Sequence, residues 1–343
     1  MVKLNGFPKI LGRIIRDARQ LHVPIFLVGG AVRDYLLKKP ILDIDIVAEG
    51  NPSKLVFRTA KRLRAEVKQY PDFGTFILEL PGGGHIDFAT ARKETYAKPG
   101  ALPKVTKSVL SEDLKRRDFT VNAMAVALTG QKTGLITDLF GGQKDLKAKT
   151  LRVLHDKSFR DDPTRILRLA RFAARGFGVE KKTLGLLRKH KGYISNVAPE
   201  RIREEIVGIL GEVKPGEAFL LLGQWGILDK ILPEISFGED LSEKLDLVCT
   251  VQDRFVALLQ SLDDKRARSV MDRLRLTRKM KSEVMSLRLG LKKPQILTGL
   301  DLIKLGYKPG PAFKKMLARI NTGKFKDRQA AKSYLFDKFP RKR

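Results

Sequence analysis

The alternation of apolar and polar positions separates a strand-containing first part of the chain from a helical second part. Up to about residue 150, short apolar runs alternate with helical segments, and the predicted strands are 25–28, 42–47, 74–80, 85–89, 134–137 and 150–154. The glycines in 81–84 and 141–142 predict hairpin turns. After Leu154 the strand signal disappears, and the pattern from Asp162 onward predicts helices separated by proline-containing breaks.

These breaks predict the domain organisation. The chain has 343 residues, which is more than one typical domain contains. We predict an α/β head over residues 1–150, a helical neck over 151–214, a helical body over 215–290 and a basic helical tail over 291–343. The predicted fold class is therefore α+β.

Charge is the unusual feature of the composition. The sequence has 68 Lys and Arg residues against 38 Asp and Glu residues, a net charge of +30, and its isoelectric point is near 10.2. A charge of this size exceeds what solubility requires and is typical of proteins that neutralise phosphates. We therefore expect a polyanion as the partner.

Cysteine content and hydropathy indicate the compartment. The single cysteine, Cys249, excludes an intramolecular disulfide and fits a reducing cytosol. The N-terminal residues form no apolar signal region, and no stretch approaches the ~18 apolar residues of a spanning helix. We expect a cytoplasmic protein with no membrane partner. The sequence leaves the oligomeric state open, and a monomer is compatible with it.

A glycine pair follows the first apolar strand. Gly29 and Gly30 come directly after the run 25–28, and residues 31–37 then read as a helix whose free N-terminal amides can hold an anion. A glycine pair alone is more often only a turn. Its meaning here depends on the strand that follows.

Asp43 and Asp45 lie two residues apart in that next strand. Side chains at this spacing project from one face, while Leu42, Ile44 and Ile46 face the core. Two adjacent carboxylates inside an apolar strand are costly without a cation, and carboxylate oxygens suit Mg²⁺. The sequence therefore predicts a Mg²⁺ site at the two aspartates, beside a triphosphate-binding turn.

Residues 29–47, which read Gly-Gly-Ala-Val-Arg-Asp and later Leu-Asp-Ile-Asp-Ile-Val, resemble the signature of a known family. This family comprises the class II tRNA nucleotidyltransferases and bacterial poly(A) polymerases, a branch of the polymerase β-like nucleotidyltransferase superfamily. The resemblance covers the whole chain and implies a polymerase β-like head. It also implies two Mg²⁺ ions about 4 Å apart on Asp43 and Asp45, with Gly29, Gly30 and Arg33 at the triphosphate.

The segment 112–125 resembles the second motif of this family. Asp118 is a good N-cap for a helix that we predict to begin at Phe119. Arg116 and Arg117 stand directly before it and could hold phosphate or ribose oxygens of the nucleotide. An arginine pair is usually solvated surface, but beside the triphosphate turn we expect substrate contact.

Residues 159–173 resemble the nucleotide-selecting helix of the family. Asp162 precedes a proline, which predicts a helix N-terminus, and Arg165, Arg168 and Arg171 follow at intervals of three. An Asp acceptor beside an Arg donor admits C and A, which offer an amino donor next to a ring acceptor, and rejects U and G. We expect Asp162 and Arg165 to read the base, and we count Arg168 and Arg171 among the nucleotide-binding candidates.

Three further segments resemble the family. Asp87 occupies the place of an acidic residue on a neighbouring strand, either as the general base for the RNA 3′-hydroxyl or as an ion-pair partner of Arg92. Residues 93–110 are too rich in Pro and Gly for regular structure and resemble a flexible loop. Residues 305–311 resemble a tail motif of tRNA nucleotidyltransferases, and the basic residues beyond them are either solvated or grip tRNA phosphates.

The resemblance implies addition of 3′-terminal C and A residues to tRNA from CTP and ATP, with Mg²⁺ as the cofactor and pyrophosphate released. Three alternatives stay open. The chain could be a poly(A) polymerase, an enzyme restricted to the CC or the A step, or a basic RNA-binding protein with an inactive head. The long 93–110 segment argues against CC addition alone, because CC-adding members tend to have a defective loop.

Overall fold

The computed structural model describes residues 7–41, 43–81, 83–291, 295–307, 311–322, 325 and 328–339. The chain folds as two compact units. The first comprises Met1–Arg165 and Gly176–Asn196, and the second comprises Ile166–Arg175 and Val197–Arg343. The first is mixed α/β and the second is helical, which confirms the predicted α+β class. The finer division into head, neck, body and tail stays a prediction.

The described strands are β1 (Ile25–Val28), β2 (Ile44–Ala48), β3 (Glu66–Tyr70), β4 (Thr75–Glu79), β5 (His85–Thr90), β6 (Arg92–Thr95), β7 (Lys104–Lys107), β8 (Met124–Ala127), β9 (Ile136–Asp138), β10 (Thr150–Leu151) and β11 (Gly178–Val179). Within this part of the chain, the main sheet has the order β3-β4-β5-β2-β1-β8-β9. Its neighbours are antiparallel, except for the parallel pair of β2 and β5. The pairs β6–β7 and β10–β11 form small separate sheets.

The described helices are α1 (Ile10–Gln20), α2 (Gly30–Leu36), α3 (Ser53–Leu63), α4 (Leu110–Lys115), α5 (Gly142–Lys147), α6 (Ser158–Asp161), α7 (Thr164–Ala173), α8 (Lys181–His190), α9 (Pro199–Leu210), α10 (Pro215–Gln224), α11 (Leu228–Ile231), α12 (Glu239–Leu247), α13 (Val251–Leu258), α14 (Asp264–Arg273), α15 (Arg278–Arg288), α16 (Gly299–Lys304), α17 (Pro311–Thr322) and α18 (Arg328–Lys338). In the second unit, Thr250, Asp263, Thr277 and Thr298 each cap a helix by accepting an amide hydrogen bond. No helix of the described residues is long and apolar enough to cross a membrane.

The central strands of the sheet fix where the aspartates of the site point. Ile46 in β2 and Phe88 in β5 are buried, and side chains alternate between faces along each strand. Asp45 and Asp87, which are odd-numbered neighbours of these residues, therefore lie on the opposite face. The predicted core role of Leu42 lies outside the described residues.

The segment after Asp118 differs from the prediction. Residues 120–122 form a single turn of 3₁₀-helix and β8 follows, so the helix predicted to begin at Phe119 is wrong. Asp118 Oδ1 accepts the amide of the adjacent Phe119 at 2.7 Å, but no side chain of the described residues caps the 3₁₀ turn, whose N-cap is Phe119. The four residues of β8 are all buried, and an apolar run of this length does not distinguish a strand from a helix by periodicity.

The prediction that residues 93–110 lack regular structure is also wrong. β6 and β7 pair as an antiparallel hairpin from Arg92–Lys107 to Thr95–Lys104, and the Pro- and Gly-containing stretch connects them. Strands of this hairpin are four residues long, too short to leave a clear period in the sequence.

The two predicted glycine turns have different outcomes. β4 and β5, on either side of 81–84, pair antiparallel as a hairpin requires, and the Leu80 amide donates to the Gly84 carbonyl at 3.0 Å. Gly82 lies outside the described residues. Gly141 instead has a φ of +74° and is the N-cap of α5, which begins at Gly142, so no hairpin turn forms there. The strand β11, beyond Leu154, was not predicted, because it pairs over only two residues.

The C-terminal helices share a buried cluster. Leu302, Tyr307, Ile320 and Leu335 are in this cluster, so α18 contributes to a core and is not solvated on all sides. Residues 308–310 of the predicted 305–311 motif lie outside the described residues.

Candidate active site

Gly29 shapes the turn between β1 and α2. Its φ of +66° is one that glycine adopts without strain. A Cβ atom at this position would lie 2.7 Å from Arg117 Nη1 and 3.7 Å from Asp45 Oδ2. The backbone conformation therefore favours glycine, and a Cβ atom would also displace the Arg117 guanidinium. At Gly30, a Cβ would lie 3.4 Å from Arg33 Nη2, so a second guanidinium covers the turn.

Carboxylates meet where β2 and β5 begin. Asp45 and Asp87 are direct partners in the parallel pair, and Asp43 directly precedes β2. Burial raises the pKa of Asp45; Arg117 opposes this shift and the charge of Asp43 adds to it. Burial also raises the pKa of Asp87; His85 opposes this and the other two aspartates add to it. The three carboxylates are therefore close enough to repel one another.

The carboxylate oxygens of Asp43, Asp45 and Asp87 are of the type that binds a divalent cation. Asp87 Oδ1 is buried and has no hydrogen-bond partner among the described residues, and its Oδ2 lies 3.8 Å from His85 Nε2. Within the same part of the chain, no group of three or more His, Cys, Asp or Glu side chains is arranged so that it could hold a metal ion by itself. Mg²⁺ is commonly held by one or two carboxylates together with substrate phosphates and water. Asp43 and Asp45 are therefore suited to a site that a nucleotide completes.

Asp113 holds both members of the predicted arginine pair. Its Oδ1 accepts from Arg116 Nη2 at 2.7 Å and its Oδ2 accepts from Arg117 Nη2 at 3.0 Å. Its carboxylate is fully buried. Burial alone would raise the pKa of Asp113, but Arg117 and Arg116 together lower it. Asp113 was missed as a site residue, although its spacing of three and four before the arginines is the helical spacing of ion pairs.

Arg117 keeps donors available on the side of the turn. Its Nη1 faces Gly29, and its Nε is buried with no hydrogen-bond partner among the described residues. A guanidinium carries five N–H donors in a planar fork that matches phosphate oxygens. Arg117 can therefore hold an anion above Gly29 without giving up its contact with Asp113.

Arg33, in α2, is fixed by hydrogen bonds to two side chains. Its Nη1 donates to Asn122 Oδ1 at 2.6 Å, and its Nε donates to Asp34 Oδ1 at 2.9 Å. Asn122 Nδ2 in turn donates to Asp118 Oδ1 at 3.0 Å. The motif residues Asp118 and Asn122 thus orient an arginine at the turn. This gives both residues a structural role that does not depend on the predicted helix.

Glu94 in β6 connects the hairpin to the arginine pair. Its Oε1 lies 3.1 Å from both Arg92 Nη2 and Arg116 Nη1, and Tyr96 donates its phenolic proton to Oε2 at 2.8 Å. Arg92 therefore pairs with Glu94. The alternative that Asp87 is its ion-pair partner is not found among the described contacts.

The two predicted base-reading residues also have structural partners. Asp162 Oδ1 accepts from the Thr164 amide at 3.1 Å and from its hydroxyl at 2.6 Å. Arg165 is only 4% exposed; its Nη1 donates to Ser158 Oγ at 2.7 Å and its Nη2 to the Arg116 carbonyl at 2.5 Å. Arg165 is thereby oriented beside the arginine pair.

The remaining candidates belong to the second unit. Arg168 lies 3.6 Å from Glu205, and Arg171 Nε donates to Glu212 at 2.6 Å. A Cβ at Gly208 would lie 2.8 Å from Arg171 Nη1, so Arg171 is closely packed on α9. Their predicted nucleotide contacts stay predictions. The residues that the structure does bring together at the end of the central strands are Gly29, Gly30, Arg33, Asp43, Asp45, Asp87 and Arg117.

Two family models match the chain. The one described as "Poly A polymerase head domain" matches residues 25–152. The one described as "Probable RNA and SrmB- binding site of polymerase A" matches residues 176–237. The first range contains the glycine turn, the three carboxylates and the arginine pair.

Several characterised proteins are similar to the chain. The CC-adding tRNA nucleotidyltransferase of Deinococcus radiodurans is 33% identical over 316 residues, which are 86% of this chain and 83% of that protein. The A-adding tRNA nucleotidyltransferase of Aquifex aeolicus is 42% identical over 231 residues, or 66% of this chain. The chain spans 28% of the length of that relative, and 26% and 52% of two further A-adding relatives.

The similarity extends to solved structures. The CCA-adding enzyme of Thermotoga maritima, solved in complex with tRNA, is 28% identical to the chain, with a TM-score of 0.64. The match covers 96% of each of the two chains.

Proposed function

The chain belongs to the family of class II tRNA nucleotidyltransferases and bacterial poly(A) polymerases, and from this premise we propose that it adds 3′-terminal C and A residues to tRNA from CTP and ATP. The observation that carries this proposal is the grouping of Asp43, Asp45 and Asp87 beside a glycine turn covered by Arg117. A metal-binding carboxylate group next to a phosphate-binding cation is what nucleotidyl transfer requires.

In this reaction the RNA 3′-hydroxyl attacks the α-phosphorus of the triphosphate, and the bond to pyrophosphate breaks. Asp43 and Asp45 would hold Mg²⁺, which supplies activation of the hydroxyl and neutralisation of the leaving group. Arg117 and Arg33 would bind the triphosphate over the turn. Asp87, whose Oδ1 has no partner among the described residues, would accept the hydroxyl proton.

Asp162 and Arg165 would select the base. Arg165 is anchored by Ser158 and by the carbonyl of Arg116, so its orientation is tied to the arginine pair. A preorganised donor beside an acceptor discriminates between base edges better than a mobile one, because less ordering is needed on binding. This supports the selection of C and A over U and G.

A second candidate activity is addition of the terminal A alone. The relatives of 42%, 39% and 38% identity carry the A-adding name. Such an enzyme would use the same carboxylates and arginines and would differ only in the primer and nucleotide that it accepts.

Product length separates these activities. The full chain is incubated with Mg²⁺ and tRNA ending at the discriminator base or in CC, with labelled CTP, ATP or both. Three added residues on the first tRNA support CCA addition. One A on the CC-ending tRNA with no incorporation of C supports the A-adding alternative, and two C residues without A indicate CC addition. A long A tail on generic RNA indicates poly(A) synthesis, and no incorporation at all contradicts the proposed function.

A further inference from the structure

Arg117 lies between two carboxylates and pairs with only one of them. Its Nη2 donates to Asp113 at 3.0 Å. Its Nη1 and Asp45 Oδ2 lie 2.7 Å and 3.7 Å from the same point above Gly29. In the described part of the chain, Arg117 forms an ion pair with Asp113 and none with Asp45. The guanidinium and the Asp45 carboxylate therefore face each other without bonding.

A direct pair between these two groups would compete with metal binding. An arginine fork bonds both oxygens of a carboxylate when it is free to align with them. A carboxylate engaged in this way has fewer oxygens to offer a divalent cation. Two donors of Arg117, Nη1 and the buried Nε, are not used by Asp113. The contact with Asp113 is therefore what restrains the guanidinium.

Asp113 is itself firmly placed. It lies in α4, its carboxylate is fully buried, and its other oxygen is occupied by Arg116. An acceptor fixed by its helix and by a second arginine cannot follow Arg117 toward Asp45, so it sets the position of the guanidinium.

We propose that Asp113 is a positioning residue that holds Arg117 beside the Asp45 carboxylate instead of on it, and so keeps Asp45 available to a divalent cation. The inference rests on the proposed function, since it assigns Asp45 to a metal. It adds a role for Asp113, whose two carboxylate oxygens contact Arg116 and Arg117.

The test measures Mn²⁺ binding to the full chain, by the loss of the free-ion signal in electron paramagnetic resonance, without RNA or nucleotide. Asp113→Asn should weaken Mn²⁺ binding about fivefold. This is the effect expected if one partly exposed ion pair, between Arg117 and Asp45, has to be broken before the metal binds. The same change in an Arg117→Gln background should have no effect, because no guanidinium remains to be restrained. Equal weakening in both backgrounds would mean simple loss of charge and would overturn the proposal.

Glu94→Gln is the matched control. It removes one negative charge from the same cluster, through an equally conservative change, while the contact of Asp113 with Arg117 stays intact. Mn²⁺ affinity within about twofold of wild type is expected, since only the restraint on Arg117 is proposed to matter. A fivefold loss in this control would also overturn the proposal.

Folding and function are checked separately. If Asp113→Asn fails to fold, Asp113→Glu keeps the buried charge and moves the carboxylate by one methylene. That variant should melt near the wild-type temperature and still bind Mn²⁺ more weakly, and unchanged binding would overturn the proposal. The variants could show the predicted dependence of Mn²⁺ binding on Asp113 and Arg117 while the wild type transfers no nucleotide. In that case the proposed function fails, and the role of Asp113 in metal binding stands.

Discussion

Two arginines in different regions of the molecule show how structural and functional charges differ. Arg254, in the helical unit, is 3% exposed. Its Nε donates to the carbonyls of Leu245 and Val248 at 2.9 Å and 3.0 Å, and its Nη1 donates to those of Leu210 and Glu212. The last carbonyls of a helix have no partner within the helix, so Arg254 satisfies groups at the ends of α9 and α12.

Arg117, in the sheet-containing unit, has the opposite character. It spends one donor on Asp113 and has a buried Nε with no partner among the described residues. By contrast, no buried nitrogen of Arg254 lacks a hydrogen-bond partner among the described residues. Leaving a buried donor unsatisfied costs free energy. We therefore interpret Arg254 as a residue that serves folding, and we propose that Arg117 is kept for a ligand.

The largest expected effect concerns the metal-binding carboxylates, which we assign to the same ligand site as Arg117. Asp45→Asn should lower nucleotide transfer by about 10³-fold or more, because it removes electrostatic stabilisation of the transition state. The fold and the affinity for tRNA should be unchanged. Asp72→Asn, at an exposed position of the same unit, makes the same change of charge and should be fully active. Substantial transfer by Asp45→Asn would sink the metal assignment.

Arg254→Met tests the structural side. The substitution keeps a long apolar stem but leaves buried helix-end carbonyls without a donor, which should lower the free energy of unfolding by about 3 kcal/mol. Urea unfolding followed by circular dichroism measures this loss. Transfer per folded molecule should be close to wild type. A stable variant with impaired transfer would reverse the role we assign to Arg254.

Arg117→Met is the same substitution on the other side of the comparison. Asp113 keeps its contact with Arg116, but one oxygen of its buried carboxylate loses its donor. The free energy of unfolding should therefore fall by about 1–2 kcal/mol, which is less than in Arg254→Met, where several buried carbonyls lose theirs. The ratio kcat/KM for the nucleotide should fall about a hundredfold, as expected when one preorganised donor to developing charge is removed. Urea unfolding checks the expected change in stability, and steady-state kinetics checks the expected fall in kcat/KM. A variant that unfolds readily but transfers normally would contradict both expectations.

The sequence predicts those parts of the site in which the residues that carry the chemistry lie inside a recognisable local pattern, such as a strand or a glycine turn. The strand Ile25–Val28 has the predicted bounds, and Gly29 follows it with the predicted role of a turn. Asp45 lies on the face opposite Ile46, as alternation requires. These features depend on residues within about twenty positions of one another, so a local pattern carries them.

Features that depend on distant contacts escaped prediction. β8 is a strand because β1 and β9 flank it, and nothing in the run Met124–Ala127 itself distinguishes this from a helix. The role of Asp113 required knowing that Arg117 reaches Gly29, which is far away in the sequence. Glu94 joins this network only through a hairpin whose strands were too short to recognise.

The smallest expected effect concerns base selection and separates two roles of one residue. Asp162 caps α7 through its contacts with the amide and hydroxyl of Thr164, and we propose that it also presents an acceptor to the incoming base. Loss of a cap costs about 1 kcal/mol of stability. Loss of a base contact costs about 1–3 kcal/mol of discrimination, without much loss of triphosphate binding.

Asp162→Ala and Asp162→Ser distinguish these roles. Ser can restore the cap but cannot present a carboxylate to an amino group. Ala should therefore lose about 1 kcal/mol of stability while Ser does not, and both should raise incorporation of UTP relative to CTP by about tenfold. Single-nucleotide incorporation with CTP, ATP and UTP gives these ratios. If Ser restores wild-type selectivity together with stability, Asp162 is a cap alone, and the choice of base must be made by other residues.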